Sequence, residues 1–103
     1  MAETIFSKII KKEIPADIVF ENEEVLAFRD INPQAPVHIL VVPKKPITGI
    51  AAARDEDGTI LGRLLLAARD IAAREGLNEG GYRLVINNGE RAGQSVFHLH
   101  LHI

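Results

Sequence analysis

The spacing of apolar positions along this chain changes several times, and each change marks a structural element. Ile5, Phe6, Ile9 and Ile10 form one stripe of a short helix that Thr4 can cap and Pro15 stops. Ile18-Val19-Phe20 and Val25-Leu26-Ala27-Phe28 are two β-rich runs, and the polar Glu21-Asn22-Glu23-Glu24 between them suits a hairpin turn. Asn32-Pro33-Gln34-Ala35-Pro36 reads as a rigid loop, because each proline sets its own φ and biases the residue before it away from the helical region. Val37 to Val42 is apolar apart from His38, as expected of a central strand covered on both faces, and Pro43 with Pro46 closes it. From Thr48 to Glu75 the period is helical, with a short piece before Asp55-Glu56-Asp57-Gly58 and a long one after it. Ile60, Leu61, Leu64, Leu65, Ala68, Ile71 and Ala72 make the long helix's buried stripe, and Gly76 stops it. Tyr82 to Ile86 and Val96 to Ile103 are two further strands, joined by a long Gly-bearing loop over 87–95. The predicted class is α+β: about five antiparallel strands, one long helix packed on one face, and a short N-terminal helix.

The last strand carries the chemistry. His98, His100 and His102 alternate with Phe97, Leu99, Leu101 and Ile103. Successive side chains of a strand point to opposite faces, so the apolar set is predicted to face the covering helix and the three imidazoles to line the other face. The row would extend about 13 Å, since alternate residues lie roughly 6.5 to 7 Å apart. A straight strand cannot bring all three nitrogens to about 2.0 to 2.1 Å from one zinc ion, although two of them with His38 could. Phosphoryl chemistry suits the row better: a central imidazole attacks phosphorus while its neighbours orient it and bind phosphate oxygens. Imidazole also retains a neutral, nucleophilic form near neutral pH. The bland alternative is a set of solvated or backbone-satisfied strand histidines. Against it stands the preceding loop, where Gly89 and Gly93 allow backbone N–H groups close to an anion and Ser95 adds a hydroxyl.

Composition narrows the possibilities. A chain of 103 residues has room for one core, so the whole of 1–103 is read as a single domain. The net charge of −2 offers no electrostatic footprint for a nucleic-acid duplex. Absence of cysteine removes thiolate nucleophiles, disulfides and Cys-ligated zinc. No apolar run reaches the length of a membrane span and the start has no signal-like h-region, so the expected location is the cytoplasm.

Gln94-Ser95-Val96-Phe97-His98-Leu99-His100-Leu101-His102-Ile103 resembles the His-φ-His-φ-His-φ-φ signature of the histidine-triad (HIT) superfamily. Ile5-Phe6-Ser7-Lys8-Ile9-Ile10, Ala27-Phe28-Arg29-Asp30-Ile31, Pro33-Gln34-Ala35-Pro36-Val37-His38 and Val42-Pro43-Lys44-Lys45 look like its Hint branch, the purine nucleoside phosphoramidate hydrolases. The similarity runs from Ile5 to Ile103. It implies that His100 is the nucleophile, forming a nucleotidyl-histidine that water then hydrolyses. His98 would orient it, His102 would contact the phosphate, and His38 would support the triad from the neighbouring strand. It also implies that Asp30 binds the ribose hydroxyls while Ile5, Phe6, Phe28 and Ile31 line the purine slot. Asn87, Gly93, Gln94, Ser95 and Val96 would surround the phosphate, with Ser95 helping the leaving nitrogen. The expected ligands are AMP or GMP adducts, the expected state a homodimer, and no metal or other cofactor is required. The resemblance also leads to the expectation of a C-terminal tail past the triad, whereas the sequence given ends at Ile103. The alternatives are a dinucleoside polyphosphate hydrolase of the Fhit type and a non-catalytic nucleotide- or zinc-binding module.

Overall fold

The two central strands of the sheet divide their side chains between two separate apolar clusters. The computed structural model describes residues 3–103. Within it, β1 (Ile18–Glu21), β2 (Val25–Arg29), β3 (Ile39–Pro43) and β4 (Leu101–His102) form one antiparallel sheet in that order. Val25, Ala27, Ile39, Val41, Leu99, Leu101 and Ile103 point to one face. Leu26, Phe28, Leu40 and Val42 point to the other. This is the alternation that a strand's period of two requires.

The first face is covered by α2 (Gly58–Arg74), seventeen residues long, through Leu64, Ala67, Ala68, Ile71 and Ala72. The helix ends where Gly76 takes φ +75°, a conformation glycine adopts without steric cost. The second face is covered by α1 (Ile5–Ile10), which contributes Phe6 and Ile9, with Ile14, Ala16 and Val96 packed at its margin. So short a helix depends on its ends. Thr4 Oγ1 accepts from the Ser7 N–H at 3.1 Å, and Ser7 Oγ accepts from the Thr4 N–H at 2.8 Å, a capping box. Among the described residues no helix is long and apolar enough to cross a membrane.

The architecture is the predicted α+β one, but the sheet has four strands. The segment expected as a strand over Tyr82 to Ile86 joins only through Val85, whose N–H and C=O both bond His102 at 3.0 and 2.8 Å. Its entry through Gly81, at φ +87°, turns the chain too sharply for a longer ladder. The last strand is likewise shorter than the predicted Val96 to Ile103. In its register Leu99 stands opposite Pro43, which has no N–H to give. That leaves the Leu99 carbonyl without a donor across the ladder; the Leu99 N–H bonds Ile47 O at 2.6 Å, the Pro43 carbonyl being taken by His98, and the ladder ends there. Phe97, expected on the core face, is 48 % exposed as a result.

Two smaller differences concern the helical region. The piece before Asp55 is a single 3-10 turn over Ile50–Ala52, and Asp55–Asp57 form a second one leading into α2. Leu65, expected in the buried stripe, is 49 % exposed, and Ala67 takes its place. With Leu64 at the centre, the inward positions are three, four, seven and eight residues on; Leu65 lies one step round the helix from that line.

Leu64→Ala should therefore lower unfolding stability by about 2–5 kcal/mol, whereas Leu65→Ala should cost no more than about 0.5–1 kcal/mol. Urea denaturation of the two variants checks this, and equal losses would show that the helix packs in a different phase.

Candidate active site

The second face holds the histidines, because they occupy the alternate positions to Leu99, Leu101 and Ile103. Phe6 from α1 meets them first. Its ring centroid lies 4.9 Å from that of His100 and 6.4 Å from that of His98, edge-on in both cases, and 5.4 Å from that of Phe28. His100 and His102 are 4.9 Å apart, centroid to centroid, and His102 and His38 are 5.1 Å apart. The fold thus lines up Phe6, His100, His102 and His38 across β4 and the start of β3.

Hydrogen bonds to backbone groups assign the proton on each ring, since an amide N–H only donates and a carbonyl only accepts. His98 Nε2–H donates to Pro43 O at 2.7 Å. His100 Nδ1–H donates to the His98 carbonyl at 2.8 Å, which leaves Nε2 of His100 as a lone pair. On the far side the Gln34 N–H donates to His38 Nδ1 at 3.0 Å, so His38 carries its proton on Nε2. That proton points to His102 Nδ1, 2.9 Å away. His102 must then hold its own proton on Nε2, which is buried and unpaired among the described residues. The result is a basic nitrogen on His100 beside a ring that presents an unsatisfied N–H donor.

Burial reinforces the neutral state. It pushes the pKa of His98 below its ordinary 6.5, with the neighbouring His100 adding to the effect against the opposing Pro43 hydrogen bond. Burial also lowers that of His102, aided by His100 and His38 and opposed by Asp30.

Asp30 sits at the exit of β2. Its Oδ1 accepts from the Asn32 N–H at 2.9 Å, and its Oδ2 lies 3.6 Å from His38 Nε2. Asp30, His38 and His102 form a cluster in which three ligand atoms lie within 4.8 Å of one another. The donor set fits a metal poorly. For Nε2 of His38 to bind an ion, Nδ1 would have to carry the proton, and the Gln34 N–H already points at Nδ1.

The remaining predicted positions divide into two groups. Phe28 and Phe6 are buried together, Val96 packs against their cluster, and Ile5 and Ile31 are exposed, Ile31 by 94 %. Gly93 takes φ +92° at the end of a 3-10 turn over Glu90–Ala92, Asn87 is half-buried and Ser95 is exposed. Gln94 is buried, and its carboxamide serves the backbone. It donates to Thr48 O at 2.7 Å and Val96 O at 3.1 Å, and accepts from the Gly89 N–H at 2.8 Å. A cavity of about 540 Å³ opens beside His38 and His102, walled by Gln34, Pro36, Tyr82 and Arg83.

Sequence reasoning missed Pro43 and Gln34 because they act through a carbonyl and an amide N–H, which every residue or nearly every residue possesses.

Comparison with known proteins is consistent with this geometry. The chain is 61 % identical to a HIT-like protein of Synechocystis, across all of this chain and 90 % of that one. It is 58 % identical to a 14 kDa zinc-binding protein of Zea mays, across 97 % and 79 %. Among solved structures it is similar to a HIT family hydrolase from Legionella pneumophila, with a TM-score of 0.95 and 50 % identity over 97 % of this chain and 89 % of that one. The histidine triad nucleotide-binding protein from Candida albicans superposes with a TM-score of 0.88 at 33 % identity, over 97 % and 72 %. The HIT domain model matches residues 11–103, from the end of α1 through the last histidine, and the chain belongs to the HIT domain family.

Proposed function

We propose that the protein hydrolyses purine nucleoside 5′-phosphoramidates in two displacements at the α-phosphorus, as in the Hint branch. The observation that carries this reading is the proton assignment, which frees Nε2 of His100 while giving His102 an unpaired N–H. In the first displacement His100 Nε2 bonds to phosphorus and the P–N bond breaks. The leaving nitrogen takes a proton from solvent, relayed by the Ser95 hydroxyl, and departs as the amine. In the second, water attacks phosphorus and gives up a proton to solvent, the bond to His100 breaks, and the nucleoside monophosphate leaves with its new oxygen. Throughout, His102 Nε2–H donates to a phosphoryl oxygen, where charge builds up in each transition state. His98 holds the His100 ring through its carbonyl.

The base and ribose fit the remaining features. Phe6 and Phe28 offer apolar surface next to His100, Ile5 and Ile31 supply exposed apolar side chains for a purine, and Asp30 supplies a carboxylate for the ribose hydroxyls. Backbone amides of Gly93, Gln94, Ser95 and Val96, with Asn87, surround the phosphate. We place the enzyme in the cytoplasm as a homodimer. The edge segment around Tyr82 and Leu84, both more than a third exposed, is the surface that suits a second copy. The zinc in the maize relative's name and a dinucleoside polyphosphate substrate are the readings to be tested alongside.

His100→Ala should lower turnover of an adenosine 5′-phosphoramidate more than about a thousandfold while AMP binding persists. The assay is run with EDTA throughout and diadenosine triphosphate as the competing substrate. Full activity of the variant would remove the nucleophile, loss of wild-type activity in EDTA would favour metal chemistry, and preference for the polyphosphate would move the enzyme to the Fhit type.

The lowered pKa values make a second prediction. The unfolded chain takes up protons on His98 and His102 near pH 6.5, but the folded protein does so only at lower pH. Stability from these groups is therefore complete above 6.5 and declines as the pH falls below it, towards the folded values. NMR titration of the imidazole protons should give midpoints below 6.5 for both, and a midpoint at or above 6.5 would contradict the assignment.

A further inference from the structure

We infer that Asn88 and Gly49 form a latch that positions the loop over 89–95, with Asn88 a positioning residue for the reaction; this role rests on the phosphoramidase reading. The loop has little regular structure of its own. Gly89 and Gly93 both take positive φ, near +90°, and between them lies one 3-10 turn. Its place is set by the segment from Ile47 to Ala51, which runs beside it. Three hydrogen bonds tie this segment to the loop and to the residues on either side of it. Ile47 O accepts from Leu99, Thr48 O accepts from the Gln94 carboxamide at 2.7 Å, and the Ala51 N–H donates to Asn88 Oδ1 at 2.9 Å.

Gly49 lies at the middle of this seam and is buried. Its backbone is extended, at φ −173° and ψ 172°, which any residue adopts, so conformation gives no reason for a glycine. Space does. A Cβ there would stand 2.7 Å from Asn88 Oδ1 and 3.3 Å from Gln94 Oε1. Two carboxamides of the loop therefore close on the one position that lacks a side chain. Gln94 holds the loop from inside, through its buried amide, and Asn88 holds it from the exposed side. If the loop's amides receive phosphate oxygens, a shift of a fraction of an ångström at this seam misplaces them in the transition state.

The geometry makes the two residues interdependent. Asn88→Ala removes the bond to Ala51 and leaves room beside Gly49. Gly49→Ala drives the Asn88 carboxamide off its site, but in the Asn88→Ala background the 2.7 Å contact is gone and the tightest one left is Gln94 Oε1 at 3.3 Å, which asks for a shift of a few tenths of an ångström.

The test measures kcat, KM and backbone amide hydrogen exchange for the wild type, Gly49→Ala, Asn88→Ala and the double variant. Gly49→Ala should lower kcat for adenosine phosphoramidate about tenfold with KM changed less than about threefold. The same change made in Asn88→Ala should cost less than about threefold. Exchange over 89–95 should accelerate in both single variants while the amides of β2 and β3 stay protected. A Gly49→Ala enzyme with wild-type kcat, or an equal penalty in both backgrounds, overturns the latch. Should Gly49→Ala fail to fold, Asn88→Ala decides alone, and unchanged exchange over 89–95 overturns the latch. Wild-type protein without turnover would refute the phosphoramidase reading, and the exchange data would still judge the latch.

Discussion

At Pro43 the β3–β4 ladder gives way to other partners, and the geometry of the site follows from that exchange. In the register of β3 and β4, residues 39 and 103 exchange both backbone bonds, and the equivalent exchange two rungs on would join 43 to 99. Half of it cannot form, because Pro43 has no N–H for the Leu99 carbonyl. The other half is replaced: the Pro43 carbonyl takes the His98 ring N–H, and the Leu99 N–H turns to Ile47. The first bond orients His98, whose own carbonyl holds the His100 ring, and the second brings the start of the 47–51 segment against the histidine-bearing chain. The same residue that ends a strand starts the site.

From there the protons are ordered by donors and acceptors that cannot exchange roles. A histidine row with free tautomers would spread its protons over several arrangements, only some of which leave a ring lone pair beside a donor. Here a carbonyl at one end and an amide N–H at the other select one arrangement, and it runs inward from both ends to the gap between His100 and His102. Burial acts in the same direction by disfavouring the charged rings. Two anchors in the backbone do what a carboxylate partner does in other histidine sites. Asp30, at 3.6 Å from His38, is left with its Oδ1 committed to the Asn32 turn and its Oδ2 beside the relay.

How much of this was legible in the sequence depended on whether the signal lay in side-chain type or in backbone partners. The alternation of histidine and leucine was visible as written, and the structure keeps it: His98, His100 and His102 on one face, Leu99, Leu101 and Ile103 on the other. The α2 stripe was legible except for its flank, because the placing of Leu65 depends on how the helix is rotated on the sheet. Strand lengths were not legible. Tyr82 to Ile86 has a strand's composition, yet composition cannot register that Gly81 bends its entry or that only Val85 meets a partner. Gln94 was read as a phosphate neighbour from resemblance. Its carboxamide turns out to be spent on Thr48, Val96 and Gly89, a contact forty-six residues away in the chain that no local pattern records.

The asymmetry of the two faces explains why a site exists on one of them. A helix of seventeen residues covers the α2 face over its full width, and the side chains that meet it are all apolar. The opposite face receives a helix of six, whose Phe6 and Ile9 shelter Leu26, Phe28, Leu40 and Val42 and whose Phe6 also packs edge-on against the buried His98 and His100, while His102 beyond them stays half-buried. The His102 Nε2 atom is buried without a partner among the described residues, which costs about 1–3 kcal/mol. On the proposed reading a phosphoryl oxygen would take that N–H and turn the same unsatisfied group into binding energy, strongest when the oxygen carries most charge. The placing of α1, held by the capping box at Thr4 and Ser7 and ended where Lys12 takes φ +64° and the Glu13 N–H bonds Lys8 O, is therefore as much a part of the site as the histidines that Phe6 packs against.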